Sequence, residues 1–184
     1  MKKHLILIGI IFVLLIVGFS GCIDKGENIL LNSGFEEGKN DELLYWFQAI
    51  IPDDNLTMLW DKTVFYNGSY SVGINNTHIY DNDTCNNWAQ EIDEVPIGRI
   101  IELSGWVKTI ESEDVAMVIQ CWDDENNIVG FGTTEVSNNI NGTNDWNEYN
   151  ASVFVPIKTK KIIVRLALCD TGEVWFDDVK LIVK

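Results

Sequence analysis

The chain has 184 residues and carries 28 acidic against 13 basic side chains, which gives a formal net charge of −15 at pH 7. Nucleic-acid phosphates and anionic lipid headgroups both demand a basic surface, so this balance excludes nucleic-acid binding and argues against docking on anionic lipid. Most of the carboxylates are expected at the solvated surface, and an excess of this size also suits cation binding.

The first 22 residues have the three parts of a lipoprotein export signal. A basic start, Met1-Lys-Lys-His4, precedes an apolar run over 5–19, and Phe19-Ser-Gly-Cys22 places small residues just before a cysteine. The run is shorter than the roughly 20 residues that a spanning helix needs. We predict a signal peptide at 1–21, lipidation of Cys22 and a tether at 22–27. The alternative is an uncleaved anchor helix ending near Cys22. Both place the domain at 28–184 outside the cytoplasmic membrane, anchored to it.

The rest of the chain alternates short apolar runs with clusters of Asn, Asp and Gly, and it shows almost no helical periodicity. This pattern predicts an all-β, antiparallel β-sandwich without a second domain. Only the segment 43–50 suits a helical turn. The candidate strands, in chain order, are 64–65, 70–74, 89–92, 100–109, 115–122, 129–135, 147–155, 161–169 and 174–183.

Several tryptophans fall on strand faces or loops whose other residues are polar. Trp106 and Trp122 have the opposite parity to the apolar residues of their strands, and Trp88 directly follows a polar loop. Pyranose rings pack an apolar C–H face on an aromatic ring, while their hydroxyls pair with amides. We therefore predict a sugar-binding platform formed by Trp88, Gln90, Trp106, Gln120 and Trp122. The alternative is that these tryptophans cover the sheet under loops or pack in the core.

Four cysteines occur, at positions 22, 85, 121 and 169. If Cys22 carries lipid, one of the other three is unpaired within the chain. The absence of a CxxC motif and the presence of only two histidines argue against a zinc site. Cys121 and Cys169 each end an apolar run, which suits two buried thiols or one disulfide. Cys85 lies in an Asn-rich loop and is expected to be exposed.

Six Asn-x-Ser/Thr triplets begin at Asn55, Asn67, Asn75, Asn82, Asn141 and Asn150. They would be acceptors for N-glycosylation of an exported glycoprotein if the organism has the machinery. A chain with 18 asparagines also produces such triplets by chance.

Two motifs, one at each end of the predicted domain, resemble the opening and closing strands of the carbohydrate-binding modules of families 4 and 9. They are Asn28-Ile-Leu-Leu-Asn-Ser-Gly-Phe-Glu-Glu-Gly38 and Glu173-Val-Trp-Phe-Asp-Asp-Val-Lys-Leu181. Between them, Tyr66-Asn-Gly-Ser-Tyr-Ser-Val-Gly-Ile74 and Trp146-Asn-Glu-Tyr149 resemble further segments of these modules in the same order. The resemblance implies a galactose-binding-like jelly roll and an oligo- or polysaccharide ligand.

The same resemblance implies a structural Ca²⁺ ion. In such folds the first and last strands lie side by side, which would bring Glu36 and Asp177 together. Neighbouring carboxylates repel each other unless a cation or a proton lies between them. Calcium takes six to eight oxygens, so the turn containing Asn67 and Ser69 is expected to supply further ligands. The alternative makes Asp177 a strand-end hydrogen-bond acceptor and Glu36 a surface charge.

No nucleophile motif, catalytic triad or phosphate-binding loop appears in the sequence, so an enzyme is not expected. Our leading interpretation is a membrane-anchored, monomeric domain that binds carbohydrate without catalysis. The alternatives are a structural or adhesive surface domain that lacks a glycan site, and a small glycan-active hydrolase.

Overall fold

The computed structural model describes residues 26–51, 53–80 and 85–184. These residues form eleven strands and one short 3₁₀ helix, Thr134–Val136. The strands are β1 Gly38–Lys39, β2 Glu42–Leu43, β3 Phe47–Ala49, β4 Leu56–Asp61, β5 Ser71–Asn76, β6 Asn86–Ile92, β7 Ile100–Trp122, β8 Ile128–Thr133, β9 Ile140–Phe154, β10 Lys161–Leu168 and β11 Gly172–Val183. Every strand pair is antiparallel.

Strand β7 joins the two layers of the sandwich. Its first half pairs with β11 and β9, and its second half pairs with β10 and β8. The strand order is therefore β3-β6-β10-β7-β8 in one layer, the front sheet, and β4-β5-β11-β7-β9 in the other, the back sheet. Register shifts near Ser112 and positive φ at Glu111 and Asp114 mark the bend between the halves. The protein is an all-β jelly-roll sandwich, as the sequence predicts.

The core lies between the two sheets and follows from strict alternation along the strands. In β10 the inward residues Ile162, Val164, Leu166 and Leu168 are fully buried, and the intervening positions face outward. They pack in one cluster with back-sheet residues such as Phe176 and Leu103. Burying one side chain of this size contributes about 1.5–3 kcal/mol, so this face fixes the register of each strand.

The first and last described segments lie side by side, as the resemblance implies. Asn28 bridges to Ile182, and the Ile29 amide donates to the Leu181 carbonyl at 3.0 Å. The Asn28 side chain adds to this contact, since its Oδ1 accepts from the Leu181 amide at 2.9 Å. The predicted signal peptide, Cys22 and most of the tether lie outside the described residues. Within the described ranges, no helix is long and apolar enough to cross a membrane.

The strand predictions need three corrections. The segments 100–109 and 115–122 form one strand, because the chain bends without leaving the sheet. The helical turn predicted at 43–50 is wrong, since β2 and β3 occupy that segment. The strand predicted at 64–65 is also wrong. Val64 lies in a turn that Asp61 organises through hydrogen bonds from the amides of Thr63 and Val64.

The cysteine predictions also change. Cys85 and Cys169 form a disulfide, and Cys121 is a free, buried thiol whose pKa is raised by burial. The disulfide between Cys121 and Cys169, one of the two alternatives from the sequence, does not form, because Cys121 points into the core from β7. Cys169 follows β10, where Leu168 pairs with Asn86, and this register brings Cys169 opposite Cys85. The bridge thus ties the start of β6 to the end of β10.

Candidate functional site

The outer face of the front sheet, which we call the front face, carries side chains in register across five strands. One row crosses all five strands and consists of Phe47, Ala89, Arg165, Val118 and Thr133. The row on one side of it is Glu91, Ile163, Gln120 and Phe131, and the row on the other side is Ala49, Asn87, Ala167 and Ala116. Neighbouring strands lie about 4.8 Å apart, so the face is roughly 20 Å wide.

Aromatic side chains stand towards both sides of the front face, and small ones form its centre. Phe47 on β3 is 46% exposed and Phe131 on β8 is 53% exposed. The half-buried Trp122 lies two residues beyond Gln120, the residue that pairs with Phe131. Between these aromatic side chains the alanines at 89, 116 and 167 are buried beneath their larger neighbours. A ligand on this face would stack on the exposed rings of Phe47 and Phe131.

A line of hydrogen bonds crosses the centre of the front face. Arg165 donates through Nε to Gln120 Oε1 at 3.0 Å and through Nη1 to Asn87 Oδ1 at 2.9 Å. The Trp122 indole donates to the same Gln120 oxygen at 3.3 Å. Three strands are therefore linked by side chains whose orientation is fixed before any ligand arrives, which lowers the entropy cost of binding.

Arg165 is a half-buried cation without a carboxylate partner. Its partners are neutral amides, and none of the ion pairs among the described residues includes it. Burial lowers the pKa of its guanidinium, but arginine stays protonated at neutral pH. A guanidinium has five N–H donors, and the two bonds to amides leave others for a ligand oxygen. On the same face, Lys161 pairs with Glu91 at 3.4 Å.

The predicted platform of three tryptophans does not form, because its members occupy three different layers. Gln120 and Trp122 lie on the front face, as their strand parity predicts. Trp106 lies on the outer face of the back sheet, where Tyr66 stacks on it at 3.9 Å between ring centroids. Both tryptophans lie on outer faces, as strand parity predicts, but the bend in β7 sends the two outer faces to opposite sides of the molecule.

Trp88 and Gln90 lie on the inner face of β6 and not in a loop or on an open surface. Trp88 is 4% exposed, pairs with Leu166 and donates its indole N–H to the Gly73 carbonyl at 3.1 Å. Gln90 is buried and holds the backbone of Leu31: its Oε1 accepts from the Leu31 amide at 2.8 Å and its Nε2 donates to the Leu31 carbonyl at 2.9 Å. Gln90 therefore secures the N-terminal segment.

Four polar or aromatic residues of the front face are not predicted from the sequence: Phe47, Asn87, Phe131 and Arg165. For Arg165 a signal was present, since it interrupts an apolar strand at the outward parity. Phe47 and Phe131 lie on the outer strands β3 and β8. β3 pairs with β6 and β8 pairs with β7, and no local sequence pattern predicts either pairing.

Glu36 and Asp177 hold the same turn, at residues 66–70. Asp177 Oδ2 accepts from the amides of Tyr66 and Asn67 at 2.8 and 3.0 Å. Glu36 Oε1 accepts from the amides of Ser69 and Tyr70 at 2.8 and 3.1 Å. Gly68 has φ +74 and lies so close to Glu36 that a Cβ there would collide with the carboxylate. We call Glu36, Asp177 and the turn at 66–70 the clasp, because they connect the first motif of the domain to its last strand.

The clasp bears on the predicted calcium site. Asp177 is 1% exposed, and this burial raises the pKa of its carboxyl although the amides of Asn67 and Tyr66 oppose the rise. The turn presents amide N–H groups to the carboxylates, whereas a bound Ca²⁺ would require oxygens. Within the described part of the chain no group of three His, Cys, Asp or Glu side chains could hold a metal ion. The calcium site at Glu36, Asn67, Ser69 and Asp177 stays a prediction.

Solved structures share this fold. The CBM22-1 xylan-binding domain of Paenibacillus barcinonensis Xyn10C is 14% identical, covers 88% of this chain and 97% of its own, and has a TM-score of 0.57. A CBM4 structure is 17% identical over 84% of this chain and 99% of its own, with a TM-score of 0.57. No family model matches the sequence, and no curated protein matches it. The protein therefore has the fold of carbohydrate-binding modules.

One similar structure is part of a much larger protein. The enzymatically active domain of tailspike protein 4 of bacteriophage CBA120 is 18% identical over 85% of this chain, with a TM-score of 0.59. The chain spans only 21% of that tailspike chain. At identities this low the likeness concerns the fold, so the tailspike's activity does not transfer to this chain.

Proposed function

We propose that the protein is a surface-anchored, non-catalytic carbohydrate-binding domain whose front face binds an oligo- or polysaccharide. The observation that carries this proposal is the line of hydrogen bonds through Gln120, Arg165 and Asn87, with exposed aromatic rings on the outer strands. Sugars need both kinds of group, since their C–H faces stack on rings and their hydroxyls pair with directed donors and acceptors. The carbohydrate-binding modules that share the fold support the same ligand class.

The ligand in this proposal runs across the strands, along the line of hydrogen bonds. Arg165 would donate to ring or hydroxyl oxygens, and Gln120 and Asn87 would keep its guanidinium in position. Trp122 and Phe131 would stack on sugar rings towards one side of the face, and Phe47 would do so on the other side.

Binding is tested by presenting the protein to a glycan array and to insoluble polysaccharides, with the Trp122→Ala variant beside it. We expect the parent to retain a subset of neutral glycans that the variant releases. If the parent retains no glycan, or if parent and variant retain the same set equally, the proposed site is wrong. Absence of new reducing ends during long incubation is expected of a domain without catalysis.

Anchoring is the second part of the proposal, and it rests on Phe19-Ser-Gly-Cys22 after an apolar run. A single acyl chain gives only marginal membrane binding, so a stable anchor needs more than one chain or a longer lipid. The intact mass of membrane-extracted protein decides the matter. We expect a species that starts at Cys22 with added lipid mass, whereas a species that retains residues 1–21 contradicts the lipoprotein interpretation.

A further inference from the structure

A second concave surface, separate from the front face, opens along the edge of the sandwich between β3 and β4. These strands are the outermost members of opposite sheets and do not pair with each other. The opening between them is a cleft of about 890 Å³, which we call the edge cleft. This volume lies within the roughly 300–1,000 Å³ that is usual for ligand pockets.

The walls of the edge cleft are aromatic and are held by hydrogen bonds. Trp60 donates its indole N–H to the Phe35 carbonyl at 2.8 Å, and Trp46 donates to the Asn32 carbonyl at 3.2 Å. Tyr70 stacks on Trp60 with ring centroids 4.5 Å apart. Gly38 lies against the Trp60 ring, where any Cβ would collide with it. Both indole N–H groups already have backbone partners. Trp46 is buried, so the partly exposed Trp60 and Tyr70 supply the aromatic surface of the cleft.

The mouth of the edge cleft carries polar groups that have no partner. The hairpin β1–β2 turns at Asn40 and Asp41, both with positive φ, which is the geometry of a tight type I′ turn. This turn presents the carboxylates of Asp41 and Glu42 at the cleft. Within the described residues neither carboxylate accepts a hydrogen bond, and both residues are exposed. They can accept hydrogen bonds from a ligand.

The charges around the edge cleft select against anions. Its lining includes three carboxylates, at Asp41, Glu42 and Asp61, but only one cation, Lys62. Both carboxylate oxygens of Asp61 already accept hydrogen bonds within the protein, from the Trp175 indole at 2.9 Å and from Thr63. An acidic sugar or a phosphate would face net repulsion here, whereas a neutral polyhydroxylated ligand would donate hydroxyls to the free carboxylates.

We propose that the edge cleft is a second carbohydrate site, which takes a neutral sugar residue against Trp60 and Tyr70 and binds its hydroxyls through Asp41 and Glu42. Carbon surfaces beside free acceptors match the C–H face and the hydroxyl edge of a pyranose. The site shares no residue with the front face, so either site can function without the other.

Indole N–H signals in NMR spectra of the full-length protein in detergent distinguish the two sites, after assignment with Trp→Phe variants. The probes are xylotriose, cellotriose and galactotriose, which are too short to bridge the sites, and trigalacturonic acid as the anionic analogue. We expect at least one neutral trisaccharide to shift the signals of Trp60 and Trp46, and trigalacturonic acid to leave them unchanged. The double variant Asp41→Asn/Glu42→Gln should weaken this response roughly 10-fold or more.

The matched control is Asp124→Asn/Glu125→Gln, which removes the same two charges from the exposed β7–β8 turn. Asparagine tolerates the left-handed backbone at position 41, so the test variant should keep the hairpin. The proposal is overturned if no neutral trisaccharide shifts Trp60 and Trp46 at millimolar concentration, or if both double variants respond alike. If only the Trp122 signal shifts, glycan binding by the front face is supported and binding by the edge cleft is refuted. If only the Trp60 signal shifts, binding by the edge cleft is supported and binding by the front face is refuted.

Discussion

Arg165 Nε lies 3.0 Å from Gln120 Oε1, and this contact joins the neighbouring strands β10 and β7 of the front sheet on their outer side. The same guanidinium reaches Asn87 on the next strand at 2.9 Å. Two neutral amides hold the Arg165 guanidinium in position, but they do not neutralise its charge. The guanidinium is therefore well ordered and still has N–H donors that can bind a ligand.

Arg165→Lys should weaken glycan binding nearly as much as Arg165→Ala. A lysine keeps the charge but cannot place two donors in the fixed geometry that Gln120 and Asn87 need. We expect each variant to lose about 1.5–3 kcal/mol of binding free energy, the range for hydrogen bonds to charged groups. Calorimetric titration with a glycan that the parent binds provides the measurement. If Arg165→Lys keeps the parent's affinity, the positive charge is sufficient for glycan binding and the fixed geometry of the guanidinium is not needed.

The Cys85–Cys169 disulfide should stabilise the domain strongly, because it closes a loop with a sequence separation of 84 residues. Replacing both cysteines by alanine should lower the free energy of unfolding by about 2–5 kcal/mol. Urea denaturation of parent and variant, each with and without reductant, gives the comparison. Reductant should destabilise the parent and leave the variant unchanged. Equal stability of the parent in both conditions would mean that the bridge contributes nothing.

The buried carboxyl of Asp177 should make stability depend on pH in an unusual direction. Burial raises its pKa in the folded state, so the native protein binds this proton more tightly than the unfolded chain, whose value is about 3.9. The resulting stabilisation is complete below the unfolded pKa and is lost as the pH rises through the folded pKa. In chelator, the free energy of unfolding lost in Asp177→Asn should therefore be larger at acid pH than at pH 7. A loss that grows towards pH 7 would contradict the raised pKa.

Calcium should raise the melting temperature if the clasp binds the ion. A ligand at 100 times its Kd stabilises the native state by about 2.7 kcal/mol. Glu36→Gln should remove the effect, while Glu37→Gln, an exposed neighbour, should keep it. Identical melting temperatures in calcium and in excess chelator would mean that Glu36 and Asp177 act as hydrogen-bond acceptors for the turn and hold no ion.

The sequence was sufficient for the fold and for part of the front face. Alternation along β7 predicts which side chains face the core, and it correctly predicts that Gln120 and Trp122 lie on an outer face. Alternation is a local property, however, and it cannot show on which side of a bent strand that face ends up. Trp106 and Trp122 belong to one strand yet lie on opposite outer faces for this reason.

Contacts between distant segments were harder to predict. The resemblance of the two end motifs to known modules correctly predicted that Glu36 and Asp177 lie close together, because it implies which strands are neighbours. Both carboxylates bind the same turn. No such motif marks Phe47, which reaches the front face only because β3 pairs with β6. Trp88 was misplaced because a polar loop precedes it, although its side chain lies on the inner face of β6 and is 4% exposed.

The most direct test of glycan binding by the front face compares two tryptophan variants in one calorimetric titration. Trp122→Ala removes a ring from the front face, and Trp106→Ala removes a ring of similar exposure from the back sheet, where Tyr66 covers it. With a glycan that the parent binds, we predict that Trp122→Ala loses about 1–3 kcal/mol of binding free energy and that Trp106→Ala keeps the parent's affinity. Unchanged affinity in Trp122→Ala, or an equal loss in both variants, would contradict a glycan site on this face.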